Sequence, residues 1–443
     1  MSYVFHRDTR ADMPIVVRGD GIWVEDATGK RYVDASGGAA VSCLGHSHER
    51  VIAAVREQVG RIAFAHTSAF SSEPAEALAE VMVTTAPGRM AKALFVSGGS
   101  EATEAAIKLA RQYHVERGEP SRHRIIARRQ SYHGNTLGAL SASGNMARRA
   151  IYQPYMQDWS HISPCYPYRG RDHDETEEQY GRRVADELET EIERVGAATV
   201  SAFILEPVVG ATLGAVAAVP GYLARVREIC DRHGVLLIFD EVMCGMGRTG
   251  TLYASEHDGV VADLYIVAKG LGAGYQAIAA VIVAERVYAA IHDGSGALAH
   301  GHTYMSHPVA CAAALAVQTA IREERLVARV QAGGERLRNL LQERFGNHPH
   351  VGEIRGRGYF LALELVADRP GKTPFDPALA MHSRVRKAAM ERGMICYPMG
   401  GLIDGRSGDH VLIAPPFIAT DADLDMIVDR LGEAVDAAVR TDG

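Results

Sequence analysis

Stretches that are apolar at every position alternate with stretches that are apolar on one side only. This rhythm organises the middle of the chain. Residues 235–239 are apolar throughout and end on Asp240-Glu241; residues 264–268 behave in the same way and end on Lys269. Such runs predict strands buried on both faces, as in a parallel sheet. Further strands are predicted over 93–96, 124–127, 201–205 and 279–284. Helical spacing between them predicts helices over 75–85, 101–115, 180–195 and 220–233, the last stopped by Gly234. The alternation argues for a mostly parallel sheet with helices on both faces.

The two ends read differently. Residues 21–26 and 30–34 predict a hairpin about the turn Asp26-Ala27-Thr28-Gly29. Residues 36–40 read as a flexible loop of small residues, and 48–59 as a helix. Beyond a long helix over 308–324 come a helix (326–345), a strand (359–366) and a helix (378–392). A strand (410–414) and a final helix (420–439) complete the chain. The alternation in 359–366 suggests a strand with one exposed face. Thr420 is placed as an N-cap, with acids in the first turn. These elements predict a smaller α+β domain, and 443 residues suit two or three domains.

Composition narrows the class. Hydrophobic content of 47%, charged content of 23% and a net charge of -7 describe a folded protein with no electrostatic reason to bind nucleic acid or an anionic membrane. The first residues lack the layout of a signal peptide, and no apolar stretch is long enough to span a bilayer, so a cytoplasmic location is expected. Cys43, Cys165, Cys230, Cys244, Cys311 and Cys396 are scattered without a C-x-x-C, which predicts reduced, mostly buried thiols. There is no H-E-x-x-H, and no metal site is expected. Lysine is rare beside arginine, so Lys269 at an apolar, glycine-flanked strand end is conspicuous.

In open α/β sheets ligands sit beyond the carboxyl ends of the strands. Asp240 and Lys269 are therefore expected in one site. A buried carboxylate needs a partner, which a protonated ring nitrogen or Arg248 would supply. A lysine in apolar surroundings has a lowered pKa and is a nucleophile toward aldehydes. Ser97-Gly98-Gly99-Ser100-Glu101 joins a strand to a helix and could cradle a phosphate, although an ordinary capped helix explains the same residues. Tyr132-His133-Gly134 could stack on a planar ligand, or be a packed turn. Val242, two residues past Asp240, could lie against a ring that Asp240 holds. Acid, cradle, aromatic and amine together fit pyridoxal phosphate.

Several segments resemble the class III (omega) aminotransferases. They are Ser97-Gly98-Gly99-Ser100-Glu101-Ala102, Tyr132-His133-Gly134, Glu206-Pro207-Val208, Phe239-Asp240-Glu241-Val242 with Gly247-Arg248-Thr249-Gly250, and Ala268-Lys269-Gly270-Leu271-Gly272. His302-Thr303-Tyr304 and Ala414-Pro415-Pro416 add to the likeness. The resemblance implies the type I fold of pyridoxal phosphate enzymes. Its large domain (61–324) carries a mostly parallel seven-stranded sheet flanked by helices. A small α+β domain is built from both termini (1–60 and 325–443). It implies a homodimer with shared sites. Lys269 would bond to the cofactor and move the proton at the substrate carbon, and Asp240 would hold the ring nitrogen. Tyr132 and Val242 would flank the ring, with His133 nearby. Gly99 and Ser100 would hold the phosphate, joined by Thr303 of the other subunit. Glu206 would lie near the cofactor hydroxyl or a gating arginine. Arg406 stands roughly where amine:pyruvate members carry a carboxylate-binding arginine, but a solvated loop arginine is the preferred reading.

The implied activity is transfer of an amino group from a primary amine or ω-amino acid to pyruvate or 2-oxoglutarate by ping-pong half-reactions. Gly38-Ala39 looks like the 4-aminobutyrate or ornithine branch. His300-Gly301-His302-Thr303-Tyr304 looks like the amine and β-alanine:pyruvate branch, so the substrate stays open. The rivals are a decarboxylase or isomerase on the same scaffold, and a nucleotide-dependent oxidoreductase using Gly270-Leu271-Gly272-Ala273-Gly274. That glycine loop has its third glycine too early for G-x-G-x-x-G.

Overall fold

A computed structural model describes residues 2–440. Its centre is a seven-stranded sheet in the order Met90–Val96, Ala279–Ala284, Leu264–Val267, Leu236–Asp240, Val200–Leu205, Arg124–Arg128, Ser160–Ile162. Only Ala279–Ala284 runs against the others. The uninterrupted apolar runs have the predicted cause. Leu237 and Phe239 pack into a core on one face, and Leu236 and Ile238 into a second core on the other. Helix Gly99–Glu116 covers the second face, while Glu177–Val195 and Tyr222–His233 cover the first.

The termini meet. Strands Trp23–Asp26 and Arg31–Asp34 form the expected hairpin, preceded by the unpredicted edge strand Val16–Asp20. Met394–Ile395 adds in parallel to Arg31–Asp34, pairing Met394 with Val33. Ile22, Val33 and Leu44 share one core with Leu363, Val411 and Leu424. A four-stranded antiparallel sheet follows the order Val351–Arg357, Phe360–Leu365, Asp409–Ile413, Tyr397–Gly400. The final helix, Asp421–Val439, starts with the predicted cap. Asp423 N donates to Thr420 Oγ1 at 3.2 Å, and the Asp423 carboxylate accepts from Thr420 N at 2.8 Å.

Two expectations are corrected. Strand Phe360–Leu365 is buried at every position instead of exposing one face. Leu361 and Leu363 enter the C-terminal core, while Phe360 and Ala362 pack with Val208, Cys244 and Ala254 beside the large sheet. Glu364, which made the pattern look half-polar, is fully buried and charge-paired. It accepts from Arg169 Nε at 2.6 Å, from Arg355 Nη1 at 2.5 Å and from the Tyr166 hydroxyl. Residues 36–40 are no loose loop either: Gly37–Ala40 form a kinked helical turn, and Gly38 N donates to Asp34 Oδ1 at 2.8 Å.

All six cysteines are free and buried. Among the described residues no helix is long and apolar enough to cross a membrane. Removing one partner of a buried ion pair leaves an uncompensated charge. Glu364→Leu should therefore lower the stability of the protein by about 3–5 kcal/mol, read from the shift of its chemical-denaturation midpoint. A shift below about 0.5 kcal/mol would mean that Arg355 and Arg169 find water or other partners.

Candidate active site

Strand alternation sorts the Asp-Glu pair. Asp240 turns into a cavity, whereas Glu241 turns away and accepts from Ser255 N at 3.0 Å and Ala254 N at 2.5 Å. Glu241 thus anchors the short turn Ala254–Asp258, and burial pushes its carboxyl up to about 7. Asp240 is 3% exposed. Its Oδ2 lies 2.8 Å from His133 Nδ1, and its Oδ1 accepts from Val242 N at 3.0 Å. The protein partner of the buried carboxylate is therefore His133, not Arg248. Arg248 is itself buried, donates to the Pro415 carbonyl at 2.5 Å and stacks 4.6 Å from the Phe417 ring centroid. Burial lowers its pKa to about 10.

Lys269 follows the neighbouring strand, at the start of the tight turn Lys269–Leu271 with φ of 44°. The second rival's glycine loop is this turn and its continuation. The Lys269 Nζ donates to the Ala39 carbonyl at 2.8 Å. Burial is the main cause that lowers its pKa to about 8. The Asp240 carboxylate opposes that shift, and the cations Arg248 and Arg7 add to it.

Both side chains open onto a cavity of about 510 Å³. Gly99 and Ser100, in the first turn of helix Gly99–Glu116, line it. That helix has no side-chain cap, so its first-turn N–H groups and positive end suit an anion. Tyr132, His133, Glu206 and Val242 complete the predicted set that lines the same space. Glu206 is buried, which raises its carboxyl pKa, and it accepts from Tyr132 N at 3.2 Å and Gly210 N at 3.0 Å. It thereby fixes the backbone that carries the Tyr132 ring. A Cβ on Gly99 would come within 3.3 Å of Val242 Cγ1, so glycine there leaves the valine its position.

Two predicted residues lie elsewhere. Thr303 is exposed in a turn, and Arg406 is exposed in a loop, its N–H on Asp404 Oδ1 at 2.8 Å; neither lines the cavity. Sequence reasoning overlooked Arg7, Arg148, Thr212 and Tyr397, which do. None stands in a motif or at the end of a predicted strand, so nothing local marked them.

Comparison with known proteins agrees with this geometry. Residues 5–435 match the family model of the class III aminotransferases. An uncharacterized aminotransferase of Schizosaccharomyces pombe is 44% identical over 439 residues, covering 99% of this chain and 96% of the relative. A diaminobutyrate–2-oxoglutarate transaminase of Halomonas elongata is 34% identical over 427 residues, covering 95% and 90%. Among solved structures, the omega transaminase of Pseudomonas jessenii in complex with PMP superposes with a TM-score of 0.91. It shares 35% identity and covers 97% of this chain and 93% of that one. An (S)-enantioselective omega-transaminase from Thermomicrobium roseum gives a TM-score of 0.91 at 36% identity, covering 97% and 94%. These matches favour neither the decarboxylase or isomerase nor the oxidoreductase. With a family match across nearly its whole length, the chain belongs to the class III aminotransferases, which depend on pyridoxal phosphate, and it is a transaminase.

Proposed function

We propose that this transaminase holds pyridoxal phosphate in the 510 Å³ cavity and carries an amino group from a primary amine or ω-amino acid to pyruvate or 2-oxoglutarate in ping-pong half-reactions. One observation carries the reading: Lys269 and Asp240 converge on the same cavity, beside an uncapped helix N-terminus. The residues present fit the cofactor. The first turn at Gly99 and Ser100 suits its phosphate, and a Cβ on Gly98 would meet nothing within 4 Å, so there is room for the group. The Asp240 carboxylate suits a protonated ring nitrogen, and His133 keeps it in place. Tyr132 and Val242 offer surfaces for the two faces of the ring.

When bound, pyridoxal phosphate supplies an aldehyde and an electron-withdrawing ring. Lys269 supplies an amine whose low pKa leaves a substantial neutral fraction near pH 8. Its Nζ would serve as the nucleophile toward that aldehyde, with water as the leaving group, and as the base that takes and returns a proton at the substrate carbon. Glu206 holds the Tyr132 backbone from beneath, and its place beside the cofactor hydroxyl belongs to the same proposal. Thr303, exposed and outside its own cavity, is assigned to the phosphate of a second subunit in a homodimer. Exposed Phe64, Phe70 and Tyr304 support such a partner. The core shared by the two termini supports a small domain of residues 1–60 and 325–443 beside a large one of 61–324. A cytoplasmic location completes the reading.

Purified protein supplied with the cofactor should be yellow, and borohydride should abolish the visible band and fix the cofactor to Lys269. Peptide mapping that finds the label elsewhere, or nowhere, would refute the assignment. Lys269→Ala should lose the fixable band. Asp240→Asn should stay folded but lose about 10²–10⁴-fold in transamination rate, the range of a lost acid–base partner; a loss under about threefold would remove Asp240 from the chemistry.

Because burial lowers the Lys269 pKa, its amine should lose its proton as pH rises through about 8, not through the ordinary 10.5. The rate at which apo-protein takes up cofactor should then level off above pH 9 or so. A rate still climbing steeply beyond pH 10 would show that the amine is not desolvated.

A further inference from the structure

Transfer of an amino group to an oxo-acid obliges the cavity to hold a carboxylate, because the acceptor and the amino acid formed from it both carry one. The acids lining the cavity are already engaged. Asp240 is held by His133 and Val242 N, and Glu206 by Tyr132 N and Gly210 N. The lining cations besides Lys269 are Arg7 and Arg148.

Arg148 and its neighbour differ in what they do. Both belong to the short helix Met146–Tyr152. The Arg149 guanidinium is spent on structure, donating to the carbonyls of Leu140 at 3.0 Å, Ser141 at 2.7 Å and Ser143 at 2.7 Å. The Arg148 guanidinium makes no hydrogen bond or ion pair among the described residues; it lies half-buried, 4.8 Å from the centroid of the Tyr132 ring. Stacking on an aromatic face holds a guanidinium without using its N–H groups. The planar donor fork then stays available for an anion with two oxygens in the same geometry. Tyr132 is in turn fixed through its backbone by Glu206, so the arginine rests on a positioned platform. Arg7 lacks such support, being exposed in the N-terminal arm, and Arg406 is exposed outside the cavity.

Resting on the transaminase reading above, we propose that Arg148 is the carboxylate-binding residue of the substrate site. The oxo-acid, and the amino acid that corresponds to it, dock their carboxylate on the Arg148 fork over Tyr132. Substrates carrying a carboxylate are thereby favoured over simple amines.

The test uses cofactor-loaded wild type and the variants Arg148→Gln, Arg148→Lys, Arg7→Gln and Arg406→Gln. Propanoate and glutarate, which cannot be transaminated, serve as probes, and their binding is read as the shift of the visible cofactor band. Half-reactions are compared for alanine and 2-aminopropane, which differ by a carboxylate against a methyl group. R148Q should weaken carboxylate binding at least about tenfold, and alanine should lose at least about tenfold more in kcat/KM than 2-aminopropane. R148K should fall between, because it keeps the charge and loses the fork. Equal losses for the two amines would overturn the assignment, as would unchanged probe binding in R148Q and R148K. So would the selective loss appearing in R7Q or R406Q in place of Arg148, or a wild type that binds neither probe. A wild type that moves no amino group from any donor to any oxo-acid would instead sink the transaminase reading itself.

Discussion

The register between strands Leu236–Asp240 and Leu264–Val267 is the constraint on which the site depends. Asp240 pairs with Ile266, and Glu241 N donates to the Ile266 carbonyl at 2.8 Å. This brings the carboxylate of one strand end alongside the amine that follows the other. A slip of one residue would exchange Asp240 with Glu241 and turn Phe239 out of its core. Both flanking cores resist the slip, since each is filled by alternate residues of the same strands. The register is thus set by apolar burial far more than by the charged residues it delivers.

Buried polar contacts then join the rest of the chain to that centre. Arg248, in the loop after Asp240, reaches the Pro415 carbonyl and the Phe417 ring, both in the C-terminal part of the chain. Arg355 binds Glu364 and also donates to the Gly214 carbonyl at 2.7 Å. It steadies the segment that carries Thr212 into the cavity. The Ala39 carbonyl that receives the Lys269 amine belongs to the N-terminal turn tied down by Asp34. Each terminus therefore contributes a fixed wall to the cavity that opens at the ends of the central strands. Fixing these walls before ligand arrives reduces the ordering cost of binding.

Much of this was legible in one dimension, and the reason varies with the element. The strands around Asp240 and Lys269 were plain because full burial leaves no polar position to break the run. Helices such as Leu326–Phe345 carried their own period. Strand Val351–Arg357, with Gly352, Glu353, Arg355 and Gly356, had no such mark, because sheet pairing and ion pairs form it, not an apolar face. Glu364 misled for the same reason: a charge that predicts solvent was neutralised by partners about 195 and 9 residues away.

The sequence by itself determined the central sheet, the paired acid and amine, and the glycine-rich helix start, because each depends on local spacing and on what burial allows. Only the tertiary structure decided the partners. It gave Asp240 to His133, where the sequence had offered a ring nitrogen or Arg248, and it left Arg406 outside the cavity while bringing Arg148 onto Tyr132. Those choices rest on contacts between side chains from separate segments. Such contacts leave no periodic trace in the chain, because they are fixed by how the packed elements lie against one another and not by the order of residues within any of them.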